Sequence, residues 1–492
     1  MDIKALELLT LAMDPMDFNA RYFRISKGYT LQRWSDGTLG YHTAQGQTIV
    51  HGITKATLEM ANAKINYSLQ ALPSGMLEEA MKLEEQGILE RCTYGATVYP
   101  AVDYDNHYVR AVQWAITGRC NFKCKHCFLS APDARFGELS TEECKRIIAE
   151  MAECGISTVS LSGGEPLVRS DFMEIVKEFQ LHGITVKAIS TNGSLVNEKL
   201  LNQLEEIGVT PSFSMSFDGV GCHDWLRGID GAERLLMKKF ELLAHRGFQT
   251  SSSFTLHKGN AGVLRESINR LVSVGVKMVI VNRMVDVGEW IKNGRGKGLT
   301  QRETLEVYLK YLPAFFEDGM PVTVVLNRML KLHAGKNDYQ ITPIRVKRDC
   351  HKKRLCSTVY ELAFLNGDGK LAPCIPIAGM DGQQENFADL TKMHLRDALE
   401  KSRYAACVGA TVKDYYDANP ECAACEYREY CQGGCRAQAL EFDDTNYMGM
   451  DRHRCEFFKD QFTERILQRM AETVPQARCV NLPEDYPLKP LD

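Results

Sequence analysis

At 492 residues the chain has room for about three domains, and its 44% apolar and 25% charged content excludes a disordered, collagen-like or coiled-coil protein. A formal net charge of -4 excludes a global basic field that would recruit nucleic acid or anionic lipid. The N-terminus carries acids early, with no basic start before an apolar core, and no uncharged apolar run reaches the roughly 18 residues of a membrane span. The expectation is a cytoplasmic protein with neither nucleic acid nor membrane as partner. Residues 1–105 begin with short strands at 22–25 and 29–34, separated by Lys27-Gly28, and Asp36-Gly37 marks a turn. A helix follows from about Thr54, with Leu58, Ala61 and Ile65 on one face. A second runs from about Gly75, with Met76, Ala80 and Leu83 in helical spacing. Gly87 is placed to end it, and Ile88-Leu89 begins an extended piece. Strands followed by helices suggest a small winged-helix-like module.

From residue 106 to 300 the pattern becomes strand–helix alternation. Strands are expected at 112–116, 158–161, 185–190, 212–217, 252–256 and 278–281, with helices at 141–153, 171–181, 198–207 and 231–244 between them. Six βα units in a row imply a parallel sheet with right-handed crossovers, either an open barrel or a doubly wound sheet. The chemistry of such folds sits on loops at the C-terminal ends of the strands. Residues 301–345 read as a bridge, preceded by Gly294-Arg295-Gly296 and holding a helix near 305–312 and a strand at 322–326. Residues 346–475 are cysteine-rich, and the tail at 476–492 reads as loosely ordered.

Cysteine is the anomaly of the composition. Of 17 cysteines, eight fall between Cys350 and Cys455 at tight spacings, Cys407 not counted. In a cytosolic chain such clusters point to metal rather than to disulfides. A separate triplet, Cys120-x3-Cys124-x2-Cys127, follows the first expected strand of the alternating region. Three thiolates leave a structural zinc site one ligand short, whereas a [4Fe–4S] cluster tolerates one iron without a protein ligand. This triplet resembles the defining C-x3-C-x-Φ-C motif of the radical SAM superfamily, with His126 at the aromatic position. Ser162-Gly163-Gly164-Glu165-Pro166 ends the second strand and resembles the family's GGEP element. There the two glycines let a ligand approach the backbone, and Glu165 accepts from a cationic group.

The resemblance implies a partial (β/α)6 TIM-like barrel. It also implies that Gly163, Gly164, Glu165 and Pro166, with Asn192, Ser216, Arg227 and His126, hold S-adenosylmethionine. Asn192 and Asp218 have a competing role as turn formers, since Asn-Gly and Asp-Gly are turn dipeptides. Arg227 could equally pair with a structural carboxylate. The implied reaction is one-electron cleavage of the sulfonium to a 5′-deoxyadenosyl radical that removes hydrogen from an unactivated C–H. A low-potential electron donor of flavodoxin or ferredoxin type would supply the electron.

The run Cys350-x5-Cys356-x12-Gly369-x4-Cys374, then Cys422-x2-Cys425-x5-Cys431-x3-Cys435, then Cys455, resembles the SPASM domain with its two auxiliary [4Fe–4S] clusters. By that resemblance Cys350, Cys356, Cys374 and Cys435 hold one cluster, and Cys422, Cys425, Cys431 and Cys455 the other. This makes three clusters in all. A pair of zinc ribbons is the other reading of the C-x2-C pieces. Full ligation favours electron transfer over substrate binding. Cys92, Cys144, Cys154, Cys222, Cys407 and Cys479 read as buried thiols, Cys222 with a possible role as hydrogen donor near the cavity.

The fold class expected is α/β: the partial barrel, the N-terminal winged-helix-like module and a C-terminal cysteine-rich iron–sulfur domain. SPASM proteins mostly modify peptides, and the N-terminal module resembles a recognition element that binds a leader by strand addition. The expected partner is therefore a ribosomally made precursor peptide with a leader, and the expected product a cysteine thioether. Carbon–carbon crosslinking and epimerisation compete with it. A sulfatase-maturing, formylglycine-forming enzyme is a further reading, against which Ile375 stands where that family commonly has Asp after the third cysteine. A non-catalytic iron–sulfur or zinc scaffold would need neither the GGEP element nor the open triplet.

Overall fold

The computed structural model describes residues 22–43, 46–62, 75–93, 101–128, 135–285, 288–294, 296–347 and 349–491. Ile65 and Arg295 lie outside the described residues, as does the start of the chain. The chain divides after Tyr108 into two units, with Glu153–Ser157 counted in the first.

The first unit contains β1 (Tyr22–Ile25), β2 (Thr30–Trp34), β3 (Leu39–Thr43), β4 (Gly46–Val50), α1 (Gly52–Asn62), α2 (Met76–Glu85), β5 (Leu89–Cys92) and β6 (Val102–Tyr104). β1 pairs antiparallel with β5, and the remaining strands form a sheet in the order β4-β3-β2-β6. α2 stops where Gly87 turns left-handed at φ +73°, so that Gly87 N–H reaches the Glu84 carbonyl and Ile88 N–H that of Leu83. Ile25, Leu31, Leu39, Leu58, Leu83 and Leu89 close the core between the helices and strands. β4 ends its sheet and pairs among the described residues with β3 alone.

The second unit opens with β7 (Ala111–Ala115) and continues through α3 (Thr141–Glu153), β8 (Thr158–Ser162), α4 (Phe172–Leu181), β9 (Thr185–Thr191), α5 (Glu198–Glu206), β10 (Ser212–Ser216), α6 (His223–Arg227), α7 (Ala232–His245), β11 (Thr250–Leu256), α8 (Leu264–Ser273) and β12 (Met278–Arg283). Strands β7 to β12 pair in sequence order and in parallel. This is the partial barrel of an α/β fold, and the strands fall where the apolar runs placed them. The helices bury one face each: Ile147, Ile148 and Met151 of α3 and Leu200, Leu201 and Leu204 of α5 lie at i, i+1, i+4 spacing.

The parallel run does not end at residue 300. α9 (Gln301–Glu317), capped by Thr300 with Glu303 in a capping box, leads into β13 (Thr323–Leu326), which pairs parallel to β12. β14 (Leu330–Leu332) and β15 (Asp338–Ile341) then continue the sheet antiparallel. At its other edge β16 (Leu362–Leu365) pairs parallel to β7 and β17 (Lys370–Ala372) antiparallel to β16. The residues read as a bridge are thus part of the sheet.

The tail departs from its expected looseness. Val480 N–H donates to the Tyr339 carbonyl, and Asn481 both donates to the Ile341 carbonyl and accepts from Ile341 N–H. Tyr486 is buried against the rings of Tyr427, Tyr430 and Phe458. A two-residue strand, Arg478–Cys479, pairs with β15, and with the asparagine, the aromatic plug and the ion pairs of Asp485 and Lys489 it fixes a segment with no apolar periodicity.

Candidate active site

The cysteine triplet occupies the loop after β7, and its neighbours hold that loop by backbone bonds. Gly164 N–H donates to the Thr117 carbonyl and Glu165 N–H to that of Arg119, both at 2.9 Å. Lys125 N–H donates to Leu226 O at 2.9 Å, and Glu289 N–H to Cys127 O at 3.0 Å. The glycines of the GGEP element serve this closure. A Cβ on Gly163, whose φ is +146°, would stand 2.5 Å from Thr117 O, and one on Gly164 2.2 Å from Arg119 O. The approach expected from a ligand is here made by the protein's own backbone.

Glu165 is fully buried. Its Oε1 accepts from Thr191 Oγ1 (2.7 Å) and Leu167 N–H (3.1 Å), and its Oε2 from Asn192 N–H (2.7 Å). Burial raises its pKa, against the pull of these donors. A carboxylate has about four lone-pair sites, so Glu165 joins the ends of β8 and β9 and keeps one acceptor position in hand. Pro166 starts the short 3-10 turn that Glu165 caps. Asn192 donates to Asn121 Oδ1 at 2.8 Å, its Nδ2 lies 4.0 Å from Cys120 Sγ, and its Oδ1 accepts from Ser194 N–H. It is a turn residue and a neighbour of the triplet at once. Ser216 ends β10 opposite Ser253 of β11, partly exposed.

Arg227 pairs with the buried Asp218, its Nε donating to Oδ2 at 2.8 Å and its Nη2 standing 2.6 Å from the same oxygen. Its Nη1 lies 3.7 Å from Cys124 Sγ. Asp218 also accepts from Thr255 N–H through Oδ1, and its carbonyl accepts from Asn260. Burial disfavours its charge, but Arg227 and the contact with His223 hold its carboxyl far below the usual range. The Asp-Gly dipeptide therefore hides a structural anion that fixes a guanidinium beside a thiol. Burial pushes the Cys120 thiol up to about 11, with Cys124 and Cys127 among the groups adding to it. Burial and Arg227 lower the His126 pKa to about 4, leaving a neutral ring whose buried Nδ1 has no hydrogen-bond partner.

His126 and Phe128 also line a cavity of about 390 Å³. Thr255, Asn282 and Asn327 reach it from the C-terminal ends of β11, β12 and β13, as the fold requires of a site. Its far wall comes from the cysteine-rich part: Ile375 and Pro376 after Cys374, Gln438 and Glu441 after Cys435, and Arg454 and Phe457 around Cys455. Sequence spacing missed Arg283, Glu441 and His453, which converge here from widely separated segments. Arg283 Nη2 is 3.2 Å from both Glu441 Oε2 and His453 Nε2.

The C-terminal thiols lie near one another. Burial raises Cys374 to about 12, with Cys435 and Cys356 adding to it. Burial raises Cys455 to about 11, with Cys422 and Cys425 adding to it, and Cys431, itself raised to about 12 by burial, feels Cys455. Cys350 is buried near Tyr416, which also feels Cys431 and Cys422. Arg345 ties this part together: its guanidinium donates to the carbonyls of Leu355 (3.1 Å), Gln432 (3.2 Å) and Gly434 (2.9 Å). Among the described residues no three His, Cys, Asp or Glu side chains close around a point as ligands of a single metal ion would. Cys222 donates toward Gly259 O at 3.6 Å, and no helix among the described residues is long and apolar enough to cross a membrane.

Residues 114–271 match the model of the Radical SAM superfamily. The AdoMet-dependent heme synthase of Oleidesulfovibrio alaskensis is 26% identical over 347 residues, covering 67% of this chain and 83% of that protein. The PqqA peptide cyclase of Granulibacter bethesdensis is 28% identical over 336 residues, covering 66% and 82%. In fold, the chain is similar to Streptococcus suis SuiB bound to its precursor peptide SuiA, with a TM-score of 0.60 and 13% identity over 88% of this chain and 100% of SuiB. With the triplet on the first barrel loop and the GGEP element locked against it, the chain is an enzyme that carries a radical SAM domain over residues 114–271, the domain of a superfamily that uses a [4Fe–4S] cluster and S-adenosylmethionine.

Proposed function

We propose that this enzyme matures a ribosomally made peptide, linking a carbon of the precursor to a cysteine sulfur, with the C-terminal thiols carrying two auxiliary [4Fe–4S] clusters of SPASM type. The observation that carries this reading is the cavity, which has the triplet loop on one wall and residues adjoining Cys374, Cys435 and Cys455 on the other. A substrate there would lose a hydrogen on the first side and an electron on the second.

The donor set fits the first cluster. Cys120, Cys124 and Cys127 share one loop, and Arg227 offsets thiolate charge at Cys124. Bound together, cluster and sulfonium would supply the one-electron cleavage that yields a 5′-deoxyadenosyl radical, with a flavodoxin- or ferredoxin-type protein as reductant. The protein's own part is to hold the loop, keep His126 neutral, and offer the last acceptor position of Glu165 to the cofactor's amino group.

The first unit supports a peptide partner. β4 is a sheet edge to which an extended leader could add. The likeness to SuiB also spans more of the chain than the residues after 108 can account for. Mass spectrometry of any short cysteine-containing peptide found encoded beside this gene, after anaerobic reaction, tests the proposal. A loss of two hydrogens mapped to a cysteine and one other residue is expected. An unchanged mass, with deoxyadenosine still formed, overturns it. A second reading, a tetrapyrrole substrate, draws on the coverage by the heme synthase relative.

A further inference from the structure

The cations of the cavity are unequally satisfied. Arg283 has Glu441 and His453 beside it and donates to Leu299 O at 3.4 Å. Arg454 donates to Pro343 O at 2.6 Å. Arg328 differs from both. It faces Glu441 Oε1 at 3.8 Å, a long ion pair beyond hydrogen-bond reach, while Arg283 and His453 share the other oxygen, Oε2. Among the described residues its guanidinium makes no hydrogen bond, and 30% of the side chain stays accessible on the cavity wall. A guanidinium with no hydrogen bond of its own thus borders a chamber whose three guanidinium groups meet one carboxylate.

The backbone at Arg328 adds a second, independent observation. It is the middle residue of the three that join β13 to β14, and its φ is +64°. Asn327 N–H to Val281 O and Met329 N–H to Leu326 O fix the turn on either side. Glycine adopts that conformation without steric cost, and an arginine does not. A strained residue held by its neighbours, with a guanidinium on a cavity wall that makes no hydrogen bond, is the arrangement found where a side chain is kept for a ligand.

We propose that Arg328 anchors a carboxylate of the substrate, its planar fork taking both oxygens. This deepens the reading of the cavity as the substrate chamber and rests on it. Apart from Arg454 and the groups already paired around Glu441, the polar lining of the cavity is neutral, with the amides Asn282, Asn327, Gln301 and Gln438 and the hydroxyls Thr255 and Thr304, while Met284 and Met329 are apolar. One spare positive fork among amides and thioethers suits one planar anion. The carboxylate could belong to an acidic peptide side chain or to a tetrapyrrole propionate, and the chemistry of the fork is the same for both. The competing role is a counter-charge for the thiols of Cys435 and Cys374, which lie within its electrostatic reach together with Asp451.

The test uses the iron-loaded full chain under anaerobic conditions. One arm presents a pool of synthetic peptides, each made with Glu and with Gln at the same position. The other presents coproporphyrin III and its tetramethyl ester, followed by the Soret band. In one arm the acid form is expected to be retained about 10-fold over the neutral form. Arg328→Gln should bring that preference to within about 2-fold, and Arg328→Lys should restore part of it, with iron content at the wild-type level in both. Acid preference confined to the porphyrin arm would sink the peptide reading and leave the anchor standing. No acid preference in either arm, a preference that survives Arg328→Gln, or loss of iron from Arg328→Gln, which marks a counter-charge, overturns the anchor.

Discussion

Two regions carry the thiols, and they are built differently. The Cys120–Cys127 loop is stitched by main-chain bonds to β8, to α6 and to the segment at Glu289. Its geometry belongs to the barrel. The thiols from Cys350 to Cys455 sit on or beside helices of four to eight residues, such as Ile375–Ala378, Arg428–Cys431 and Arg452–Lys459. Helices that short do not persist alone. They are held by guanidinium groups that collect carbonyls: Arg345, and Arg436, whose Nη1 donates to Tyr447 O and Gly449 O. The barrel loop is set by its own main-chain bonds, whereas on the proposed reading the C-terminal part would lean on the clusters its thiols would hold.

The comparison breaks most visibly at Cys124. If the proposed three clusters are present, Cys124→Ala should reduce deoxyadenosine formation to background while removing only about four of about twelve irons per chain, read by iron assay and chromatography. Loss of all iron would mean the two regions are not independent. Stripping iron with a chelator should next expose residues 346–475 to limited proteolysis well before 109–345, with fragments read by mass spectrometry. Asp218→Asn should then cost about 3–5 kcal/mol in chemical denaturation, because it leaves Arg227 buried and unpaired. Asp218 has a native pKa held below its unfolded value near 3.9. Its contribution is therefore full above about pH 4 and is lost as pH falls below that, so the variant should show a flatter acid limb. Gly164→Ala should cost about 1–3 kcal/mol by forcing the GGEP turn off Arg119 O. The smallest effect is a gain: Arg328→Gly should stabilise the chain by about 1 kcal/mol in the same assay, since it removes the side chain from a left-handed turn.

The barrel was legible because its signals are local. β8 and β9 start at Thr158 and Thr185, where alternation placed them, and α3 runs over Thr141–Glu153 as its spacing indicates. The triplet and the GGEP element were legible as motifs, but not the reason for the glycines, which depends on which loop the fold lays against them. Asp218 reads as half of a turn dipeptide, and only tertiary packing shows it buried against Arg227. Arg283, Glu441 and His453 lie too far apart in sequence for any spacing argument to join them. The tail failed for the opposite reason: a two-residue strand at Arg478–Cys479, the Asn481 side chain, the Tyr486 ring and ion pairs of Asp485 and Lys489 anchor it, and none of these makes a pattern.

Arg345 has a consequence for how such a chain can vary. It fastens Leu355 to Gln432 and Gly434, positions separated by most of the cysteine-rich part. What that clasp requires is that the two ends meet, not that the chain between them keep a set length. Doubling a flexible loop adds only about 0.6 kcal/mol of closure entropy, so additions at the exposed turn Thr391–Met393, inside the span the clasp encloses, should be accommodated while the thiols keep their places.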